Sequence, residues 1–94
     1  MADRQAYIDK IKANIDEWNA EIDKMQARAR EAEADARIRY DAQLKEMREQ
    51  RDRAEEKLRE VRDAGEKAWD DMQKSFTSAW DSIAEGFRNA AKRF

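Results

Sequence analysis

The stretch KSFTSAWDSIAEGF, residues 74–87, carries large apolar side chains at helical spacing in a chain of 94 residues, of which 45% are charged. From Phe76 the apolar positions advance by four, three and four residues to Phe87, which places them on one face of an α-helix. Extended in both directions, this aromatic stripe consists of Trp69, Met72, Phe76, Trp80, Ile83, Phe87 and Phe94. Burial of side chains of this size contributes roughly 2–3 kcal/mol each. We therefore expect another surface to cover the stripe, because an exposed stripe would promote aggregation.

A glycine marks where the helix that carries the aromatic stripe begins. Gly65 can take the left-handed conformation that ends a preceding helix, and the acidic Glu66 suits the N-terminal end of the next one. The sequence thus predicts an aromatic-faced amphipathic helix over residues 66–93. Two alternatives remain open. The helix can restart near Ser78, which begins a capping-box pattern, or the preceding helix can continue through Gly65 without a break.

Residues 3–64 carry a second helical pattern, with the three-and-four spacing of a coiled coil. Its first arm consists of Ile8, Ile11, Ile15, Trp18, Ile22 and Met25, its middle of Ala29, Ala32 and Ala36, and its last arm of Leu44, Met47, Arg51, Ala54, Leu58 and Val61. The chain has no proline, and no glycine precedes Gly65, so this segment contains no strong turn signal. We therefore expect one helix over residues 3–64, about 90 Å long at about 1.5 Å per residue.

The fold class predicted from these segments is all-α, a helical hairpin that assembles into an oligomeric helical bundle and forms a single structural unit. Alanine in the seam lets two helix backbones approach closely, and the middle of the long helix falls near residues 33–34. Two antiparallel copies that cross there would set the isoleucine arm of one copy against the Leu44–Val61 arm of the other. A parallel dimer or a larger bundle remains open. The candidate interface residues are Ile8, Ile11, Ile15, Trp18, Ile22, Met25, Trp69, Met72, Phe76, Trp80, Ile83 and Phe87.

Three surfaces are candidates to cover the aromatic stripe. The stripe can fold back on the Leu44–Val61 arm of its own chain, pack between chains in a bundle, or lie on a lipid surface with its apolar face down. The polar face of this helix is acidic and rich in hydroxyl groups rather than lysine, which disfavours attraction to anionic lipid. The first two covers are therefore preferred, and a membrane or lipid surface is kept as the third.

The residues that most enzymes and metal sites use are scarce in this sequence. The chain has no histidine and no cysteine, which removes the commonest general base, the usual zinc ligands and all thiol chemistry. It also lacks a phosphate-binding glycine loop, and its abundant carboxylates are interleaved with basic side chains as on a solvated helix surface. We expect no catalytic residue, no cofactor and no metal, and so not an enzyme.

Charge and hydropathy bear on partners and location. The 20 basic and 22 acidic residues give a net charge of −2 and form no basic face, so nucleic acid is not an expected partner. No run of residues approaches the roughly 20 apolar positions of a membrane span, and the first ten residues lack the apolar core of a signal peptide. A cytoplasmic location is the expectation.

Two segments carry a family resemblance. QAYIDKIKANIDEWNAEIDKMQARA, residues 5–29, and AGEKAWDDMQKSFTSAWDSIAEGFRNAAKRF, residues 64–94, resemble the opening and the close of short bacterial coiled-coil proteins described as stress-response proteins. The most specific shared features are the Glu17-Trp18 pair and the two Ala-Trp units at Trp69 and Trp80. The resemblance implies a small soluble stress-associated protein and supplies no mechanism and no catalytic residues.

Together these observations predict a non-enzymatic, self-assembling coiled-coil protein with a structural or interaction role, and the resemblance implies an association with stress. The alternative is a peripheral module that binds a lipid or granule surface through its C-terminal amphipathic helix.

Overall fold

The computed structural model describes residues 4–92 as three α-helices joined by two short links. They are α1 (Arg4–Glu31), α2 (Ala34–Asp63) and α3 (Glu66–Lys92), and residues 4–92 contain no strand. Each link is two residues long, so neighbouring helices run antiparallel and pack along their lengths in an elongated bundle of 52 × 18 × 16 Å. The all-α prediction is confirmed. Asp3 and Arg93, which end the predicted helices, and Phe94 of the predicted aromatic stripe lie outside the described residues.

The prediction of one continuous helix over residues 3–64 is wrong, because this segment folds as two helices. The chain breaks at Ala32 and Glu33, where Glu33 is extended with φ −65° and ψ 161°. Around the break the seam offers only alanine, which buries little apolar surface. Folding back lets the isoleucine arm on α1 pack against the Leu44–Val61 arm on α2 of the same chain. The result is a three-helix bundle rather than a two-helix hairpin.

The second break lies where the sequence predicts it, but the backbone there differs from the expectation. Residues 4–92 contain no glycine with positive φ, so Gly65 does not use the left-handed conformation. Instead Ala64 turns the chain with φ −73° and ψ 134°, and the carbonyl of Gly65 accepts a hydrogen bond from the Trp69 amide at 2.8 Å. α3 then continues through Ser78 without a restart.

The core consists of two apolar clusters stacked along the bundle. The Trp69 cluster contains Ile8, Ile11, Ile15, Ala54, Val61, Trp69, Phe76, Trp80 and Ile83, and lies near the α2–α3 link. The Phe87 cluster contains Ile22, Met25, Ala29, Leu44, Met47, Phe87 and Ala90, and lies near the α1–α2 link. Because α3 contributes to both clusters, the aromatic stripe from Trp69 to Phe87 is covered by α1 and α2 of its own chain.

Candidate interaction surface

The structure brings all the candidate interface residues together inside one chain. Ile8, Ile11, Ile15, Ile22, Met25, Trp69, Phe76, Trp80, Ile83 and Phe87 are buried, and Trp18 and Met72 are partly buried. No second copy of the chain is present, so the predicted role of these residues between copies stays a prediction. In the closed bundle these side chains contact other residues of the same chain, so a surface for a partner has to be formed by other residues.

Three aromatic rings close the end of the bundle near the α2–α3 link. Tyr7 meets Trp69 edge-on, with ring centroids 5.1 Å apart, and meets Phe76 at 6.3 Å. Trp69 and Phe76 form a third edge contact at 5.3 Å. The indole Nε1 of Trp69 is buried without a hydrogen-bond partner. The three rings of this end therefore pack together as part of the core.

A groove runs between α1 and α2, and neither of its two cavities is lined by α3. The first cavity, of about 270 Å³, is lined by Gln26, Ala29, Arg30, Arg37, Asp41, Leu44 and Arg48. The second, of about 460 Å³, is lined by Lys12, Ile15, Asp16, Glu55, Leu58, Arg59 and Arg62. We call this surface the α1/α2 groove. It combines apolar side chains at its base with charged side chains at its rim.

A polar bridge connects the two helices between the cavities of the α1/α2 groove. The Arg51 guanidinium donates from Nη1 to Oδ1 of Asn19 at 3.0 Å, and Arg51 also pairs with Asp52 at 3.1 Å and with Glu55 at 3.9 Å. Arg51 occupies a seam position in the sequence, where an arginine is unexpected. It resolves this conflict by extending to the rim, where its side chain stays 25% exposed.

The two cavities have a basic character that the overall charge of −2 conceals. Their basic residues are Lys12, Arg30, Arg37, Arg48, Arg59 and Arg62, and their acidic residues are Asp16, Asp41 and Glu55. The sequence does not predict this surface, because interleaved charges along one helix do not reveal which of them a neighbouring helix will join. The one indication in the sequence is Arg51, a charged residue at a seam position, which bridges α1 and α2 between the two cavities.

One comparison with known proteins identifies a family. The family described as vesicle transport v-SNARE protein N-terminus matches residues 1–62. The chain belongs to this family. The v-SNARE N-terminal match covers α1 and α2 up to the residue before Asp63, and so includes both walls of the α1/α2 groove, whereas α3 lies beyond it. No curated protein and no solved structure matches the chain.

The v-SNARE N-terminal match agrees with part of the sequence prediction. The v-SNARE N-terminal family is helical, of the coiled-coil type, and acts in interaction rather than catalysis. This agrees with the expectation that the chain is not an enzyme. It does not support a bacterial origin or a role in stress. Among residues 4–92, no helix combines the length and the hydropathy needed to cross a membrane.

Proposed function

We propose that the chain is a non-enzymatic helical interaction module, which binds a partner protein of vesicle transport along the α1/α2 groove. One observation carries the proposal: the residues that match the v-SNARE N-terminal family form both walls of this groove. The aromatic stripe from Trp69 to Phe87 is unsuited to the same task in the closed bundle, since its side chains already pack in the core.

The chemistry of the α1/α2 groove favours an acidic amphipathic helix as its occupant. A helix laid between two helices completes a four-helix arrangement, which is a common way to bind a helical segment. Ile15 and Leu58 in one cavity and Ala29 and Leu44 in the other supply apolar contacts. The excess of basic side chains at the rim favours acidic residues on the flanks of the partner helix.

The spacing of the two cavities sets the length of that helix. Leu44 and Leu58 are separated by two heptads of α2, or about 21 Å along its axis. A partner helix that reaches both cavities needs apolar residues about 14 positions apart, and therefore a length of about 15 residues or more. Shorter helices can occupy only one cavity and should bind more weakly.

A charge-reversal experiment tests the proposed function. Isothermal titration with acidic amphipathic helices, taken from vesicle-transport proteins and from a designed Glu/Leu peptide, should show binding at 0.15 M salt. The double substitution Arg48→Glu with Arg59→Glu places one negative charge in each cavity and should weaken binding at least about tenfold. Arg53→Glu reverses a single charge at an exposed α2 position outside both cavities and should leave the affinity within about twofold, whereas Arg48→Glu or Arg59→Glu alone should weaken binding by more than that. Equal affinities for the parent and the double variant would refute the groove as the binding surface.

Other roles predicted from the sequence have narrower support. A stress association rests on the resemblance at Trp18, Trp69 and Trp80 alone. Lipid binding through α3 would require the bundle to open, because Trp80 and Phe87 are buried against α1 and α2. Self-association through the candidate interface residues would also require the bundle to open. A mechanism that opens the bundle would therefore make both lipid binding and self-association feasible.

A further inference from the structure

The link between α1 and α2 consists of two residues that do not favour a turn. Ala32 and Glu33 are both helix formers, and neither is Gly, Pro, Asn or Asp. Residues 4–92 contain no residue with positive φ, and the side chain of Glu33 makes no capping hydrogen bond to α2. The other link contains Gly65. The break at Ala32 and Glu33 is therefore imposed by packing rather than by local conformational preference.

The apolar seam runs on through this link as though the helix did not end. Ala29, Ala32 and Ala36 continue the spacing of three and four residues, so a straightened chain carries the seams of α1 and α2 on one side of a single helix. In such a helix the carbonyls of residues 29–32 would accept hydrogen bonds from the amides of residues 33–36. The straight conformation is thus compatible with both the backbone and the seam.

One side chain holds the link in its folded-back form. The Arg37 guanidinium donates from Nε to the carbonyl oxygen of Ala29 at 3.3 Å, and from Nη2 to those of Arg30 at 3.1 Å and Ala32 at 3.5 Å. These carbonyls lie at the C-terminal end of α1, where a cation is favoured. A continuous helix would give the same carbonyls to backbone amides. The Arg37 contacts therefore stabilise only the closed chain.

We propose that the Ala32–Glu33 link is a hinge, and that its open form pairs with a second copy of this chain by exchanging α1. In the exchanged dimer, α1 of each copy packs on α2 and α3 of the other. The partner fits because the packing of α1 on α2 and α3 forms again between copies, including the Asn19–Arg51 hydrogen bond and the Trp18–Phe87 stack, while only the Arg37 contacts at the link are lost. Short hinge links are known to favour such exchange.

The exchanged dimer has a distinct shape. Each copy contributes one helix from Arg4 to Asp63, which is about 90 Å long. The two long helices cross antiparallel at the link, where the small side chains of Ala29, Ala32 and Ala36 let the backbones approach. The closed chain, by contrast, extends 52 Å. Mass and length together therefore separate a domain-exchanged dimer from two closed bundles that associate side by side.

Substitutions at the link shift the balance in opposite directions. Ala34→Pro places proline at the first position of α2, after Glu33, whose backbone already has the extended conformation that precedes proline. It fits the closed chain and breaks the long helix. Arg37→Ala removes contacts that only the closed chain makes. Glu66→Pro, at the first position of α3, is the matched control.

The experiment combines light scattering after size exclusion with small-angle X-ray scattering on the full chain from about 0.05 to 1 mM. The parent is expected to show a concentration-dependent species of twice the 11.1 kDa chain mass, with a maximum dimension of about 90 Å. Arg37→Ala should lower its dissociation constant and Ala34→Pro should raise it, each by about tenfold or more. Glu66→Pro should leave the constant within about twofold of the parent.

Three results would overturn the proposal. These are an Ala34→Pro protein that dimerises as the parent does, a dimer no longer than two closed bundles side by side, and a monomeric mass for both the parent and Arg37→Ala at 1 mM. Circular dichroism checks that each variant folds. If Ala34→Pro does not fold, three glycines inserted between Ala32 and Glu33 serve the same purpose, because they lengthen the closed link and interrupt the long helix. That variant must then be monomeric wherever the parent dimerises.

Discussion

Trp18 of α1 stacks on Phe87 of α3, with ring centroids 4.5 Å apart and ring planes 12° apart. The same indole stacks on Trp80, at 5.4 Å and 9°. Trp18 packs against both the Trp69 cluster and the Phe87 cluster although it is only partly buried. It therefore connects α1 to α3 and joins the two halves of the core.

Truncation of this ring should weaken the whole bundle. We expect Trp18→Ala to lower the free energy of unfolding by about 3 kcal/mol, because it removes a large aromatic contact between helices and leaves a cavity. Urea denaturation followed by circular dichroism measures the effect. Ile38→Ala, at a side chain that is 70% exposed, should change stability by less than about 0.5 kcal/mol. Similar losses for both variants would mean that the stack contributes little.

The two buried tryptophans of α3 should respond differently to loss of the indole nitrogen. Nε1 of Trp69 is buried without a partner, so Trp69→Phe removes an unsatisfied donor along with some apolar area. Trp80→Phe is the matched change at a ring that is also buried. We expect Trp69→Phe to be less destabilising than Trp80→Phe by about 1 kcal/mol in urea denaturation. Equal costs would indicate that Nε1 of Trp69 is hydrogen-bonded in solution.

Gly86 lies where α3 approaches the side chain of Gln50 on α2. A Cβ at this position would meet Cδ and Nε2 of Gln50 at 2.9 Å, but these atoms are the mobile end of a flexible side chain. Replacing a glycine inside a helix by alanine gains about 1 kcal/mol of helix propensity. Because Gln50 can swing away, and its buried Oε1 has no partner to lose, Gly86→Ala should raise the free energy of unfolding by about 0.5 kcal/mol.

Thermal and urea denaturation of Gly86→Ala, alone and combined with Gln50→Ala, measure this effect. The combined variant relieves the close contact and should show the full gain from the alanine relative to Gln50→Ala alone. A loss of more than about 1 kcal/mol in the single variant would show that Gln50 is held rigidly and that overpacking dominates.

The Asn19–Arg51 hydrogen bond should contribute a measurable coupling between α1 and α2. A double-mutant cycle with Asn19→Ala and Arg51→Ala is expected to give an interaction energy of about 1 kcal/mol, reduced from that of a buried bond by the exposure of Arg51. The cycle of Asn19→Ala with Arg53→Ala is the control and should give nearly zero. A coupling of zero in the first cycle would mean that the bond does not persist in solution.

Much of the fold could be predicted from the spacing of apolar residues. The aromatic stripe of α3 and the seam of α1 and α2 follow from local periodicity, and the start of α3 at Glu66 follows from Gly65 and the acidic residue after it. The α1/α2 groove could not, because Lys12 and Arg59, more than forty residues apart in the chain, meet only after the helices pack. A helix pattern shows which face is apolar, but not which neighbour that face will meet.

The sequence by itself determined that the chain is helical and that its C-terminal helix must be covered, and it favoured a link near Gly65 while a continuous helix stayed open. Only the tertiary structure decided that α1 ends at Glu31 and that the cover is the chain's own. The physical reason is that α1 gains the same apolar contacts whether it meets α2 of its own chain or of another. Ala32 and Glu33 do not favour the folded-back link, because both are helix formers. The packing of the three helices and the Arg37 hydrogen bonds at the link together stabilise the form in which α1 folds back on α2 of its own chain.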